Sequence, residues 1–328
     1  MAKLETTYMG LKLKNPIVVA SSGLTNTVDK IKTLEKAGAG AVVLKSIFEE
    51  QINSEVSHLI NKDPQNLYPE AEDYIWNYTR NNSITEHLNL VKAAKKEVNI
   101  PIIASINCVT DKEWMIFAKD FEEAGADAIE LNLFVVPTQR QRTGAEIEQL
   151  YVDILKEVKQ QVGIPVAVKI GFYFSNLTNM VEKLMANGAA SVTMFNRFYE
   201  PDINLDKLEL SASEIFSSPS DIRRSLRWVG IVSAALPKME IAASTGIHDG
   251  QAVAKQLLAG AQVTQLCSII YIEGAQVING ILQDLEEFMK KWNFKTIDDF
   301  RGRLSYAKIA DPLMYERSQF MKYFSSRN

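Results

Sequence analysis

Hydrophobic residues fall along this chain in short uninterrupted blocks, and the punctuation between the blocks repeats. Four times a proline opens an apolar run: Pro16 before IVVAS, Pro101 before IIASI, Pro165 before VAVKI, and Pro237 shortly before MEIAAS. Each time, 22 to 24 residues later, a small glycine–alanine motif leads into a second run: KAGAGAVVLK with Gly38, EAGADAIELN with Gly125, ANGAASVTMF with Gly188 and LAGAQVTQL with Gly260. Between them lie helical periods such as Val28, Ile31, Leu34 and Leu150, Ile154, Val158. One supersecondary unit used four times therefore predicts eight strands and eight helices. Continuous apolar strands are those of a parallel sheet covered on both faces, and glycine at each helix end supplies a left-handed cap. The expected fold is α/β, a single-domain (β/α)8 TIM barrel. A doubly wound open sheet is the alternative, but it does not account for a fourfold repeat.

Two segments exceed ordinary loop length, Phe48 to Ile84 after the second strand and Phe198 to Ser220 after the sixth. Both leave the strand ends where barrel function sits. The first, with Tyr68, Tyr74, Trp76 and Tyr78, reads equally as a flap over a ligand and as a packed hairpin or subunit contact. From about Asp311 a mixed-charge aromatic tail, DPLMYERSQFMKYF, is expected to pack on the barrel or on a partner.

The bulk composition narrows the function classes. In 328 residues, 46% are hydrophobic and 23% charged, enough to bury a large core without staples. The net charge of −4, with no basic stripe, argues against nucleic acid. Neither a signal-like apolar run nor a stretch of membrane-spanning length is visible, so no membrane partner and a cytoplasmic location are expected. Cys108, Cys267, His58, His87 and His248 lack the spacing of a metal or iron–sulfur site.

Chemistry in such a barrel comes from the strand ends. In order these carry Ala20-Ser21-Ser22-Gly23, Lys45-Ser46, Asn107-Cys108, Asn132, Lys169, Asn196-Arg197, Ser244-Thr245-Gly246 and Cys267-Ser268. Lys45 and Lys169 follow buried runs, where an ammonium group is costly unless an anion or electron-rich ring meets it. Ser244-Thr245-Gly246, ahead of a helix expected to start near His248-Asp249, together with QLCS, forms the phosphate cradle common to many barrels. His248 reads as a capping or solvated residue.

Taken in this order and spacing, NPIVVASSG, LKS, ELNL, PVAVKI, Asn196, STGI, QLCS and the closing LEEFMKKWNFKTIDDFRGRL resemble the dihydroorotate dehydrogenase family, in particular its soluble FMN-binding class. The resemblance covers nearly the whole chain. It implies FMN lying over the barrel mouth, lined by Ala20, Ser21, Ser22 and Gly23. Lys45, Ser46 and Lys169 would face its ring, Asn132 and Asn196 ring or substrate, and Ser244, Thr245, Gly246, Cys267 and Ser268 the phosphate. Asn132, Thr138, Asn196 and Arg197 would meet a small-molecule substrate, with Lys45 and Asn132 in the catalytic set. A homodimer is also implied.

The chain departs from the family at one loop. Where the family reads Asn-Leu-Ser-Cys-Pro-Asn, or the same with Ser for Cys, this chain reads Asn132-Leu133-Phe134-Val135-Val136-Pro137-Thr138. Dihydroorotate oxidation removes a C5 proton as hydride leaves C6, and valine takes no proton. The family's substrate loop has no counterpart between Phe48 and Ile84, and its Gly-Gly pair is replaced by SSPSD, Ser217 to Asp221. Three readings follow: an FMN oxidoreductase whose substrate need not be dihydroorotate; a dihydroorotate dehydrogenase with a displaced base, for which Tyr173, Tyr199 and the long-loop tyrosines are candidates; and a silent flavin- or phosphate-binding module.

Overall fold

A computed structural model describes residues 2–48, 69–107, 111–197 and 200–316, with backbone only at 69–81 and 111–113. Eight parallel strands close into a barrel: Ile17–Val19, Ala41–Val43, Ile102–Asn107, Ala128–Asn132, Val166–Ile170, Ser191–Met194, Glu240–Ser244 and Val263–Leu266. The second continues as Ile47–Phe48, and the ring is sealed where Ile17–Val19 pairs with Thr264–Leu266. The expected (β/α)8 barrel is therefore the observed fold, and each strand is the one the proline–glycine repeat predicts.

Side chains alternate in and out along each strand. Outward residues such as Ile17, Val42, Ile129, Val168 and Val192 join the helices in one large core. Inward residues Val18, Ala41, Val43, Ile103, Ala128, Ala167, Ala242 and Val263 make a second, smaller core inside the barrel. Its floor is an N-terminal hairpin, Thr6–Tyr8 with Leu11–Leu13, that delivers Tyr8, Met9 and Leu13 into it. The turn places Met9 and Gly10 both at positive φ, the requirement of a two-residue hairpin loop. Nearer the mouth the interior turns polar: Ser105 neighbours Glu130, Lys169 neighbours Thr193, and Ser244 neighbours Gln265.

The two long segments carry secondary structure. The region read as a loop up to Ile84 becomes helical at Pro69, in a helix Pro69–Glu97. Beyond Pro69 no glycine or proline interrupts it, so nothing stops the helix from extending back through Tyr74, Trp76 and Tyr78. Residues 49–68, including Tyr68 and His58, lie outside the described residues, as do Cys108 and Tyr199. After the sixth strand, Pro201–Asn204 and Glu209–Ala212 form an antiparallel hairpin. Of the tail, Pro312–Tyr315 is a short turn whose Tyr315 ring fills the space beside Gly230 and whose hydroxyl donates to the Leu304 carbonyl.

Candidate functional site

At the C-terminal ends of the strands opens a cleft of about 390 Å³. Ala20 and Ser21 line it from the first strand, Lys169 from the fifth, Asn196 and Arg197 from the sixth, Ser244 to Ile247 from the seventh, and Gln265, Cys267 and Ser268 from the eighth. Phe216 stacks on Tyr271, ring centroids 5.6 Å apart, to form its outer wall. Most residues expected at the mouth thus converge, although the sequence separates them by more than two hundred positions.

The remaining predicted residues brace this cleft or lie beside it. Ser46 links its neighbours: its hydroxyl is 3.0 Å from that of Ser21 and 2.6 Å from that of Ser105, tying strands one, two and three. Ser22 caps the turn Gly23–Thr25, and a side chain at Gly23 would meet the Tyr271 hydroxyl at 2.8 Å. Asn196 donates from Nδ2 to Oδ1 of buried Asn132 at 2.7 Å, so the two amides present as a unit. Lys45 is half-buried and does not line the cleft. Its charge is felt by His87, whose pKa is pushed down first by burial and then by Lys45, and whose Nδ1 is 2.9 Å from the Ser83 carbonyl. His87 is a neighbour that sequence reading passed over, because a mid-helix position carries no signal of what the helix faces.

Three expectations need revision. Tyr173, the leading candidate for a displaced base, is 59% exposed and lines a separate cleft of about 150 Å³ with Val135 and Pro137. The turn after Ile170 directs Phe172 toward Phe195 and Arg224 and sends Tyr173 to the outer side. Thr138 is exposed, its N–H donating to the Val136 carbonyl, and it lines neither cleft. Arg197 reaches the mouth, but its guanidinium is engaged by Asp221 at 3.0 Å and the Glu214 carbonyl at 2.7 Å, bracing the wall of the cleft.

The cradle helix starts where expected. After strand seven it begins at Gly250, and Asp249 caps it by accepting from the Ala252 N–H at 2.6 Å. That cap satisfies one of the amides at this end. The short helix Ser268–Glu273 has no side-chain cap at Cys267, and the Ile270 N–H turns back to the Cys267 carbonyl at 3.0 Å, so the amides of Ser268 and Ile269 are the ones left for an anion. Thr245 and Gly246 both sit at φ +75°, and Thr245 Oγ1 donates to the Phe195 carbonyl at 3.2 Å. The SSPSD segment closes the cradle: the Ser217 N–H donates to Ser268 Oγ at 3.0 Å, and the Ser217 hydroxyl lies 3.0 Å from His248 Nε2. His248 is therefore a partner of Ser217, a contact across 31 residues that no local pattern announces.

Electrostatically the cleft brings Lys169 and Arg197 together with Glu200 and Glu214, and Lys169 stands above a buried acid. Lys169 Nζ lies 3.8 Å from Glu130 Oε1 and 3.5 Å from Gln265 Oε1, all three residues buried. Burial pushes the Cys267 thiol up, opposed by a hydrogen bond with Ser22 and by the charge of Lys169, so the thiol stays protonated at neutral pH. Among the described residues, no group of three or more His, Cys, Asp or Glu gathers as ion ligands, and no helix is long and apolar enough to cross a membrane.

These features define a class: a (β/α)8 barrel with a lysine-bearing mouth and an anion cradle at the ends of strands seven and eight. Residues 3–289 match the dihydroorotate dehydrogenase family profile, and the chain belongs to that family. The family is one of oxidoreductases acting on a CH–CH bond. Among similar proteins is the dihydroorotate dehydrogenase B (NAD(+)) catalytic subunit of Thermoplasma volcanium, 27% identical over 92% of this chain and 98% of its own. The corresponding subunit of Methanocaldococcus jannaschii is 25% identical over 91% and 97%. Dihydroorotate dehydrogenase A (fumarate) of Lactococcus lactis is 25% identical over 92% and 99%.

Proposed function

We propose that the chain is an FMN-dependent oxidoreductase that oxidises or reduces a small, pyrimidine-like substrate other than dihydroorotate. The observation that carries the substrate part is the loop after strand four. Val135 is pinned by its N–H to the Tyr151 hydroxyl at 3.2 Å and Val136 is 54% exposed, so the segment is built of groups that hold no proton. Tyr173 shares the small cleft of Val135 and Pro137 and does not line the larger one at the mouth.

The residues present fit FMN. Small Ala20 and Ser21 leave a flat floor, Lys169 supplies positive charge, Gly246 admits no side chain, and the uncapped turn at Cys267–Ser268 offers amides to a phosphate. FMN bound there would supply hydride transfer. The protein's own contributions are then orientation by the Asn132–Asn196 amide pair, charge from Lys169 with Lys45 nearby, and exclusion of water by the Phe216–Tyr271 wall. The apolar side chains of the hairpin, with Leu205 79% and Leu208 84% exposed, support a homodimer that would cover them.

The test is the visible spectrum of the purified protein, followed by anaerobic addition of dihydroorotate. A flavin spectrum that dihydroorotate leaves unchanged, while dithionite bleaches it, is the expected result. Bleaching by dihydroorotate would overturn the substrate assignment in favour of dihydroorotate dehydrogenase itself, a reading favoured by the names of the relatives. A colourless protein that takes up no FMN would overturn the cofactor.

A further inference from the structure

The inner face of a parallel barrel is ordinarily filled by branched aliphatic side chains. Here, directly beneath the mouth, it holds an acid. Glu130 is 1% exposed, on strand four, with Ile129 and Leu131 pointing outward into the helix-side core. Its Oε2 accepts from Thr193 Oγ1 at 2.9 Å and from Gln265 Nε2 at 2.5 Å. Oε1 has no hydrogen-bond partner and faces Lys169 Nζ at 3.8 Å.

Gln265 makes this arrangement directional. Its amide nitrogen can only donate, and it donates to the carboxylate; its carbonyl oxygen is thereby turned to Lys169, 3.5 Å away. Lys169 and Gln265 line the cleft, whereas Glu130 does not. The ammonium is thus tethered by a carboxylate that lies outside the cleft and by the carbonyl of a residue that lines it. A buried pair of this kind offsets poorly the cost of taking two charges out of water, so packing alone gives no reason for it.

We propose that Glu130 is a positioning residue for Lys169: it directs the ammonium and, through its own charge, weakens the positive field delivered to an electron-rich ring in the cleft. The inference rests on the FMN reading above. A lone lysine beneath the ring would favour the anionic reduced form strongly. With Glu130 beneath it, the pair is close to neutral and that preference is smaller. The acid therefore sets the reduction potential lower than the lysine alone would.

The experiment is the midpoint potential of flavin-loaded Glu130→Gln, read by dye equilibration at pH 7. The reduced form is expected to gain at least about tenfold in relative affinity, which for a two-electron couple is a rise of about 30 mV. Glu130→Asp, which keeps the charge, is expected to stay between the two. A folded Glu130→Gln with unchanged or lower potential would overturn the proposal, since a merely structural acid would alter stability and leave the potential alone. The pairing itself is read in flavin-free protein by urea unfolding. Lys169→Met is expected to destabilise by stranding a buried carboxylate, and adding Glu130→Gln to it is expected to restore most of the loss. Additive effects would overturn the pairing, and this second measurement stands even where Glu130→Gln alone fails to fold. Absence of FMN binding in the unaltered protein would refute the cofactor reading and leave the unfolding cycle to decide the pairing.

Discussion

Gly246 offers the sharpest test of how the cradle is built. A Cβ there would lie 2.1 Å from the backbone nitrogen of Ile222, 2.7 Å from the carbonyl carbon of Asp221 and 2.8 Å from Ile222 Cα. All three are main-chain atoms, so no side chain can swing aside. Gly246→Ala therefore costs about 1–2 kcal/mol for the left-handed backbone and further energy for displacing the segment before Ile222. That displacement would loosen Ser217 from Ser268 and His248, and Asp221 from Arg197, at about 0.5–1.5 kcal/mol each. The expected total is about 2.5–6.5 kcal/mol, a large share of a typical folding free energy. Gly125→Ala is the control: it ends a helix at φ +94°, with the Ala126 N–H donating to the Phe121 carbonyl, and nothing lies within 4 Å, so only the backbone cost of about 1–2 kcal/mol applies. Urea unfolding of both variants gives the difference, and hydrogen exchange over residues 217–222 locates it. Equal costs within about 0.5 kcal/mol would refute the close approach of the segment before Ile222 to Gly246 as the source of the added penalty.

Three further outcomes follow from the site. Because burial and Lys45 lower the pKa of His87, the unfolded chain takes a proton below its ordinary value of 6.5 that the folded chain resists. The stability contribution is full above that pH and falls as pH drops below it, by at most about 1.4 kcal/mol per unit. His87→Gln should flatten the slope between pH 6.5 and 5 in urea unfolding, and an unchanged slope would refute the burial of the ring. Tyr173→Phe should leave flavin retention and turnover of whatever substrate is found within about twofold; a loss of tenfold or more would place that hydroxyl at the reacting centre. Cys267, half-buried in the cleft and held protonated, should be alkylated by iodoacetamide at pH 8 at least about tenfold more slowly in the folded than in the urea-unfolded protein, as read by peptide mass. Equal rates would show that the fold does not hold this thiol protonated.

What could be read from the chain was what depends on neighbours in sequence. A strand, a helix and a glycine turn are each local, so the proline–glycine repeat was enough to place all eight strands and, through their ends, most of the cleft. The N-terminal hairpin escaped because its three-residue strands are too short to display a period, although Thr6–Tyr8 and Leu11–Leu13 do alternate. The placement of Tyr173 away from the larger cleft escaped for a different reason. Adjacency to a strand end fixes where a residue is, but not the direction in which the turn after it points the side chain. The Ser217–His248–Ser268 cluster and the Glu130–Gln265–Lys169 tether join residues 31 to 135 positions apart, beyond the reach of any periodicity. Even so, Glu130 carried a clue: between outward Ile129 and Leu131, strict alternation leaves an acid nowhere to go but inward.

The seam of the barrel has a consequence for how the protein is made. Strand one pairs with strand eight, and the N-terminal hairpin is tied to the same late region, with Gln262 Nε2 donating to the Thr7 carbonyl at 2.7 Å. On the ribosome, the first twenty residues emerge long before either partner exists. Strand one can pair with strand two once Ala41–Val43 is made, but its other edge and the hairpin's tie to Gln262 must wait until more than two hundred further residues have been added. Ring closure thus awaits the making of strand eight, and stopping the chain anywhere before Leu266 leaves both edges of the sheet open to other chains.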